Sequence, residues 1–374
     1  MKIISVAGAR PNFMKIAPIG RAIKKWNNAS NGTRVLENVI VHTGQHYDEN
    51  MSQVFFEDLD IAPPDIYLAV GSGPHGEQTG KIMIEFERAC MDIRPALVLV
   101  VGDVNSTIAA ALVASKLHIP VAHVEAGLRS FDRRMPEEIN RLLTDAISNY
   151  LFTTCQEANQ NLLKEGIPEE SIFLVGDVMI DSLLYHKERA GRYNVLKELQ
   201  LKGVDDFRGY CLLTLHRPSN VDTRQSLMPI MEAVCEVARY IPVIFPVHPR
   251  TANRLKQFTL MKGEGIHFIQ PLSYMKFLSL MLKAKFVMTD SGGIQEETTV
   301  LDIPCLTLRD TTERPVTLKE GTNTLVFNDK AKIIREVQRI MEGSGKKGVC
   351  PELWDGKAAE RIVRILAGYQ KQRI

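Results

Sequence analysis

Short apolar runs punctuate the chain, and between them apolar positions recur every three to four residues. In the first half the runs are KIISVAG, NVIVHTG, DIYLAV, ALVLVVGD, VAHVEAG, YLFTT and IFLVGD. Runs of Val, Ile and Leu without alternation predict strands buried on both faces, as in a parallel sheet. Intervening stretches such as STIAAALVASKLH and EINRLLTDAISN have the spacing of amphipathic helices. A charged stretch, HKERAGRYNVLKELQLKGVDDFRG, interrupts the rhythm, which restarts with YCLLTLHR, VIFPVHP, IHFIQPL, FVMTDSG, PCLTLRD and TLVF. The pattern predicts an α/β chain of two doubly wound, Rossmann-like halves joined near residue 180. The expected domains are 1–178 and 179–355, with a C-terminal helix over 356–374 packing back on the first.

In open α/β sheets ligands bind beyond the carboxyl ends of the strands. Arg10, Asp103, Glu125, His216, His248, Asp290 and Arg309 all stand at or just after the ends of apolar runs. Each alone reads as well as a cap or loop residue; together, in one orientation, they point to a ligand site.

Length and composition narrow the class. At about 150 residues per domain, 374 residues fit two domains. A net charge of +2 gives no electrostatic case for nucleic acid or a membrane surface. No apolar run is long enough for a membrane-spanning helix, and the first residues read as a strand rather than a signal peptide. The six cysteines are scattered without a C-x-x-C pair, which suggests reduced core thiols and a cytoplasmic location.

Several motifs carry chemistry. TDSGGIQEET, from Thr289, joins a strand to a helix whose free N–H groups favour an anion, and Ser291, Gly292 and Gly293 open that turn. Its two glutamates, Glu296 and Glu297, either stabilise the first helical turn or read a group attached to the anion. GARPNFMK places Arg10, Pro11 and Lys15 at the first strand–helix turn, where two cations and a helix start favour a polyanion. VGDVNST, HVEAGLRS and MPEEINR supply Asp103, Glu125 and Glu137 with Glu138, a carboxylate group suited to acid–base work on a sugar. Mutual repulsion is expected among them. LTLHRPSN and RDTTERP add His216, Arg217, Arg309 and Arg314 as a phosphate-binding wall. Two other matches are discounted. GSGPHG is not at the first strand–helix turn, and Pro74 removes an N–H from a dinucleotide cradle. YNVLK has a dehydrogenase-like spacing but lies in the charged stretch. No nicotinamide site is therefore credible. HTGQH spaces His42 and His46 like a zinc helix, yet it lacks the glutamate and follows a strand, so no metal is expected.

GARPNFMKIAP, HTGQHYDENMSQVFF, VGDVNST, HVEAGLRS, PEEINR, LTLHRPSN and TDSGGIQEE…RDTTERP, in this order, resemble the non-hydrolysing UDP-N-acetylglucosamine 2-epimerases. The resemblance covers nearly the whole chain. It implies a glycosyltransferase-B-type fold with the active site between the domains, no cofactor, and a homodimer. The reaction implied is interconversion of UDP-GlcNAc and UDP-ManNAc through elimination of UDP to 2-acetamidoglucal and its re-addition. Arg10, Ser291, Gly292, Gly293 and Arg314 look like contacts to the diphosphate and uridine side, Glu297 like the ribose ligand, and Phe277 lies near the uracil. Lys15, Asp103, Glu125, Glu137, Arg141 and His216 match the family's catalytic neighbourhood. Gln45, His46, Arg217 and His248 match a second UDP-GlcNAc site of bacterial members. Asp48 and Glu77 depart from that pattern by adding negative charge, which implies weaker activation by UDP-GlcNAc. Rival readings are a glycosyltransferase on the same fold, a hydrolysing 2-epimerase, and a non-enzymatic sugar-nucleotide sensor.

Overall fold

The structure, a computed structural model, describes residues 1–30, 35–44, 56, 59–201, 204 and 209–369. The chain divides into two compact units, Met1–Leu183 with Glu352–Ile374, and Leu184–Pro351. The boundary falls inside one continuous helix, Val178–Gly191.

Unit 1 is built on strands β1 (Lys2–Ala7), β2 (Glu37–His42), β3 (Ile66–Tyr67), β4 (Leu97–Val101), β5 (Val121–Ala126), β6 (Tyr150–Thr153) and β7 (Ile172–Leu174). They form one sheet in the order β3-β2-β1-β4-β5-β6-β7, with every pairing parallel. β4 and β5 are buried at every position, which is why their sequence shows no alternation. The expected DIYLAV strand shrinks to Ile66–Tyr67, an edge pair against Val41 and His42. Ala69 is left-handed (φ +52°) and interrupts the strand, although Leu68 N, Val70 N and Gly71 N still donate to His42 O, Thr43 O and Gly44 O.

The first helix, Arg10–Ala29, owes its start to Pro11 and to Asn12, whose side-chain oxygen accepts from Gly8 N (3.0 Å) and Ala9 N (2.8 Å). The Asn12 amide also donates to Val101 O at 3.2 Å, tying this turn to the end of β4. The helix Ala358–Tyr369 packs against Arg10–Ala29, and Lys25 reaches Glu360 at 2.6 Å. Asp181 accepts from the N–H groups of Ala358 (3.1 Å) and Ala359 (2.7 Å), capping that helix. Burial pushes the Asp181 carboxyl up to about 6 despite those two donors. Trp354, fully packed, donates to Thr154 O at 2.9 Å and closes the same seam.

Unit 2 repeats the plan with β8 (Cys211–Thr214), β9 (Val243–Pro246), β10 (Ile266–Ile269), β11 (Phe286–Thr289), β12 (Cys305–Thr307) and β13 (Asn323–Leu325). The order is β10-β9-β8-β11-β12-β13, again parallel throughout. Its core joins Leu213, Phe245, Phe286 and Met288 from the strands with Leu227, Val234 and Val337 from helices. Each sheet reverses its strand order once, between β1 and β4 in unit 1 and between β8 and β11 in unit 2. The loops after such a strand pair part to opposite faces and leave a crevice, the usual ligand position in this architecture. Among the described residues no helix is long and apolar enough to cross a membrane.

Candidate active site

The reversal point of unit 1 collects the first group of predicted residues. Arg10 opens the helix that follows β1, and Asp103 follows Gly102 at the end of β4. Lys15, one turn further along the helix and 8% exposed, places Nζ 2.5 Å from Oε2 of Glu125 at the end of β5. Gly102 makes that contact possible. It adopts φ +66°, and a Cβ there would lie 2.9 Å from Lys15 Nζ. Glu125 is itself left-handed, with φ +69°, at a register shift between Val124 and Ala126. A non-glycine residue held there costs of order 1 kcal/mol and persists when its surroundings fix it. Glu125 is buried, and its Oε1 has no hydrogen-bond partner among the described residues.

Asp103 is partly exposed and accepts from Nη1 of Arg141, on the helix Pro136–Ala146. Arg141 is buried and also donates to Glu138 Oε2 from Nε (3.0 Å) and Nη2 (2.6 Å). Burial alone would raise the Glu138 carboxyl; donors from Ser130, Arg141 and Phe131 outweigh it and hold it low. Asn140 fixes the Asp103 carbonyl at 2.9 Å. Glu125 is thus matched to Lys15, and Asp103 and Glu138 share Arg141. Glu137, in the first turn of the same helix, is exposed and makes no side-chain contact with these groups among the described residues.

Beneath them lies a network that sequence reasoning missed. His123 Nδ1 meets Asp145 Oδ1 at 2.6 Å, and its Nε2 meets Gly102 O at 2.9 Å. Asp145 also accepts from Gly127 N (3.0 Å) and lies 2.6 Å from Arg129 Nη2, which continues to Glu165. One carboxylate therefore anchors the turn bearing Asp103 and the bulge bearing Glu125. Partners 22 residues apart left no local signal.

The reversal point of unit 2 gathers a cationic set. Asp290, fully buried at the end of β11, accepts from His216 N (3.0 Å) and Arg217 N (2.9 Å), and lies 2.9 Å from His216 Nδ1. Burial would raise this carboxyl, but His216 and those amides keep it low. The His216 ring is thereby oriented after β8, and His248 lies 6.4 Å away, centroid to centroid. Burial lowers the His248 pKa, and His216 and Arg250 lower it further.

Ser291 occupies the N-cap position of the helix Gly292–Val300, without a side-chain capping bond, and Gly292 and Gly293 lie in the first turn. Arg314 is held against this turn by Glu296 (Nε to Oε1, 2.5 Å) and Glu313 (Nη1 to Oε1, 2.7 Å). Glu296 was expected in the first helical turn; because the helix begins at Gly292, it lies in the second, buried, as a partner of Arg314. Glu313 draws in Arg309 (2.8 Å) and Arg217 (3.5 Å) as well. Despite burial, these cations hold its carboxyl far below the usual range. Arg309 is buried beside Glu313, whose single carboxylate it shares with Arg217 and Arg314. Glu297 accepts from the Tyr274 hydroxyl at 2.8 Å, and Phe277 lies half-buried on the same helix as Tyr274.

Gln45, His46 and Asp48 lie outside the described residues. Glu77 is exposed on the helix His75–Ile93 and paired with Lys81 at 2.6 Å, so its charge is offset locally. His42 is buried between Phe13 and Tyr67, and burial lowers its pKa to about 4, leaving a neutral ring at neutral pH. Among the described residues no group of three or more His, Cys, Asp or Glu side chains is placed to hold a metal.

A family model described as UDP-N-acetylglucosamine 2-epimerase matches residues 28–367. The chain is 46% identical over 373 residues to the UDP-N-acetylglucosamine 2-epimerase of Methanocaldococcus jannaschii, covering 98% of this chain and 99% of that protein. A crystal structure of the UDP-GlcNAc 2-epimerase from that organism, in complex with UDP-GlcNAc and UDP, superposes with a TM-score of 0.88 at 45% identity. It covers 98% of this chain and 100% of its own. The UDP-2,3-diacetamido-2,3-dideoxy-D-glucuronate 2-epimerase of Pseudomonas aeruginosa is 41% identical, covering 98% of this chain and 99% of that protein. Two parallel sheets that reverse at matching points, a lysine–glutamate couple at one and a glycine-opened helix with its arginine at the other, accord with that full-length likeness: the chain belongs to the UDP-N-acetylglucosamine 2-epimerase family.

Proposed function

We propose that the chain interconverts UDP-GlcNAc and UDP-ManNAc by elimination and re-addition of UDP. The observation that carries this reading is the buried Lys15–Glu125 couple beside the Asp103–Arg141 pair, at a turn opened by Gly102. A pyranose C2 proton is weakly acidic, so its removal has to be coupled to departure of a good leaving group. A carboxylate takes the C2 proton, the C1–O bond breaks, UDP leaves, and a C1–C2 double bond forms. A proton then reaches C2 on the opposite face, and the diphosphate oxygen re-adds at C1. Asp103, Glu125 and Glu137 are the acid–base candidates. Arg10, Lys15, His216 and Arg314 are assigned to the charge that develops on the diphosphate, and Arg141, paired with Asp103, to the catalytic neighbourhood. Ser291, Gly292 and Gly293 offer backbone donors to it, Glu297 takes the ribose and Phe277 the uracil. Arg217 and His248, with Gln45 and His46, are assigned to a second UDP-GlcNAc site. A homodimer and a cytoplasmic location belong to the same reading. Ile84 and Met91, 54% and 64% exposed at heptad spacing on one helix, support the former. The buried thiols Cys90, Cys155, Cys211 and Cys305 support the latter.

The direct test is incubation with UDP-GlcNAc in D₂O without added nicotinamide or metal. Deuterium is expected at C2 of both epimers by NMR; epimerisation with retention of protium at C2 would exclude the elimination route. The Pseudomonas relative's name shows that members differ in decoration at C3 and C6 of the sugar, so UDP-2,3-diacetamido-2,3-dideoxy-D-glucuronate belongs in the same assay. Faster turnover of that sugar would reassign the substrate while keeping the chemistry.

A glycine supplies a second test. A Cβ at Gly292 would lie 2.7 Å from both Arg314 Nη1 and Glu313 Oε1. Gly292→Ala therefore has to displace Arg314, and UDP affinity should fall about ten-fold, the scale of one charge-assisted hydrogen bond. Calorimetric titration with UDP measures this, and an unaltered Kd would remove Arg314 from the diphosphate site.

A further inference from the structure

Glu297 is the residue assigned above to the ribose, but a carboxylate recognises a diol only when its rotation is fixed. Its side chain has several rotamers of similar energy, and freezing them on binding opposes affinity. The structure supplies a partner that no motif announced. Tyr274, the first residue of the helix Tyr274–Lys283, points its hydroxyl at Glu297 Oε1, 2.8 Å away. That helix is itself fixed at its start, where the Ser273 side chain caps Lys276 N. The Tyr274 ring is held in turn by His186, which packs edge-on with centroids 6.1 Å apart and planes at 76°. Glu297 is 3% exposed, so the contact is sheltered from competing water.

The phenol can act only as donor here. Burial and the neighbouring Glu297 carboxylate raise its pKa well above the ordinary tyrosine value, so the proton stays on the hydroxyl throughout the working range. A hydroxyl donating to a carboxylate is among the stronger hydrogen bonds, and here it fixes one oxygen of Glu297 before a ligand arrives.

We infer that Tyr274 is a positioning residue for ribose recognition: it orients the Glu297 carboxylate toward the 2′- and 3′-hydroxyls of the uridine nucleotide. The inference rests on Glu297 being the ribose ligand and adds the residue through which that recognition is preorganised. Tyr274 does not touch the reacting carbon in this scheme. Its removal should raise KM and the Kd for UDP while kcat at saturation changes little.

The experiment compares UDP with 2′,3′-dideoxy-UDP, which lacks the hydroxyls. Binding of both is measured by calorimetry to the full chain and to its Tyr274→Phe, Glu297→Gln and double variants, with thermal midpoints as a check on folding. Phe keeps the ring and removes only the donor. Wild type should favour UDP over the dideoxy analogue, and Tyr274→Phe should weaken UDP about five- to ten-fold while leaving the analogue nearly unaffected. Glu297→Gln should abolish most of the preference, and the double variant should lose little more, because both changes act on one contact. A preference that survives Tyr274→Phe but disappears in Glu297→Gln overturns the inference and leaves the ribose assignment standing. Equal weakening of both nucleotides by Tyr274→Phe also overturns it, since that is what a merely structural ring would do. A preference that survives Glu297→Gln overturns the ribose assignment and the inference with it.

Discussion

Glu125→Gln should lower kcat by about 10²-fold or more, the scale of general acid–base catalysis. The amide keeps the shape of the carboxylate and can still accept from Lys15, but it neither takes nor returns a proton at neutral pH. Because Lys15 and Glu125 are buried and 2.5 Å apart, the change also leaves a cation without its counter-charge. We expect about 1–3 kcal/mol of destabilisation from that. Loss of activity and loss of stability therefore have to be separated. Initial rates taken well below the thermal midpoint, with UDP affinity measured alongside, do so: turnover and C2 deuteration should collapse while UDP still binds. Asp103→Asn should behave similarly. Glu137→Gln, on an exposed side chain, should lower kcat with no change in thermal midpoint. If the three variants lose activity only in proportion to the unfolded fraction, their catalytic assignment is wrong.

The largest effect on stability is expected at Asp145. Asp145→Ala strips a fully buried carboxylate from His123, Arg129 and the Gly127 amide at once. Removing one partner from a buried charged set costs about 3–5 kcal/mol, because the charges left behind have no water to turn to. For a unit of this size that corresponds to a fall in thermal midpoint of about 10 °C. The pH dependence has a fixed sign. Burial would raise this carboxyl, but His123 and Arg129 outweigh it and hold the folded pKa below 3.8. Its contribution is therefore present above pH 3.8 and is lost as pH falls through the lower folded value. Chemical denaturation of wild type and Asp145→Ala should give curves that differ most near neutrality and converge in acid. A difference below about 1 kcal/mol at pH 7 would mean that the network is a by-product of packing rather than a support of the fold.

The contrast between these two sites explains what could be read from the amino-acid order. The strands leading to Asp103 and Glu125 are mostly apolar runs, so their ends were visible, and the strand-end rule pointed to these carboxylates. Asp145 and His123 follow no such rule. His123 lies inside an apolar run, and its partner stands on a helix 22 residues later. Glu296 illustrates a finer limit. Its glycine-rich neighbourhood marked a helix start, but its function depends on Arg314, 18 residues further on, and only the fold brings them to 2.5 Å. Asn12 belongs to no chemical pattern in GARPNFMK, yet its side chain ties the first turn to β4. The carboxylate pair Glu137 and Glu138 was visible in MPEEINR, but only a family resemblance singled out the exposed Glu137 from the buried Glu138 beside it. Sequence patterns report burial and local turns well; they do not report which buried charges meet.

The seam of unit 1 has a consequence for synthesis. Its first part stops at Leu183, and the portion that completes it resumes at Glu352, so all of unit 2 leaves the ribosome in between. Unit 2 is contiguous and can finish folding while the larger sheet waits with the Asp181 carboxylate lacking the helix it caps and the Trp354 position unfilled. At typical translation speeds that interval is on the order of ten seconds, long compared with the folding of most single domains. Until then the face of the Arg10–Ala29 helix that Ala358–Tyr369 covers stays open to solvent.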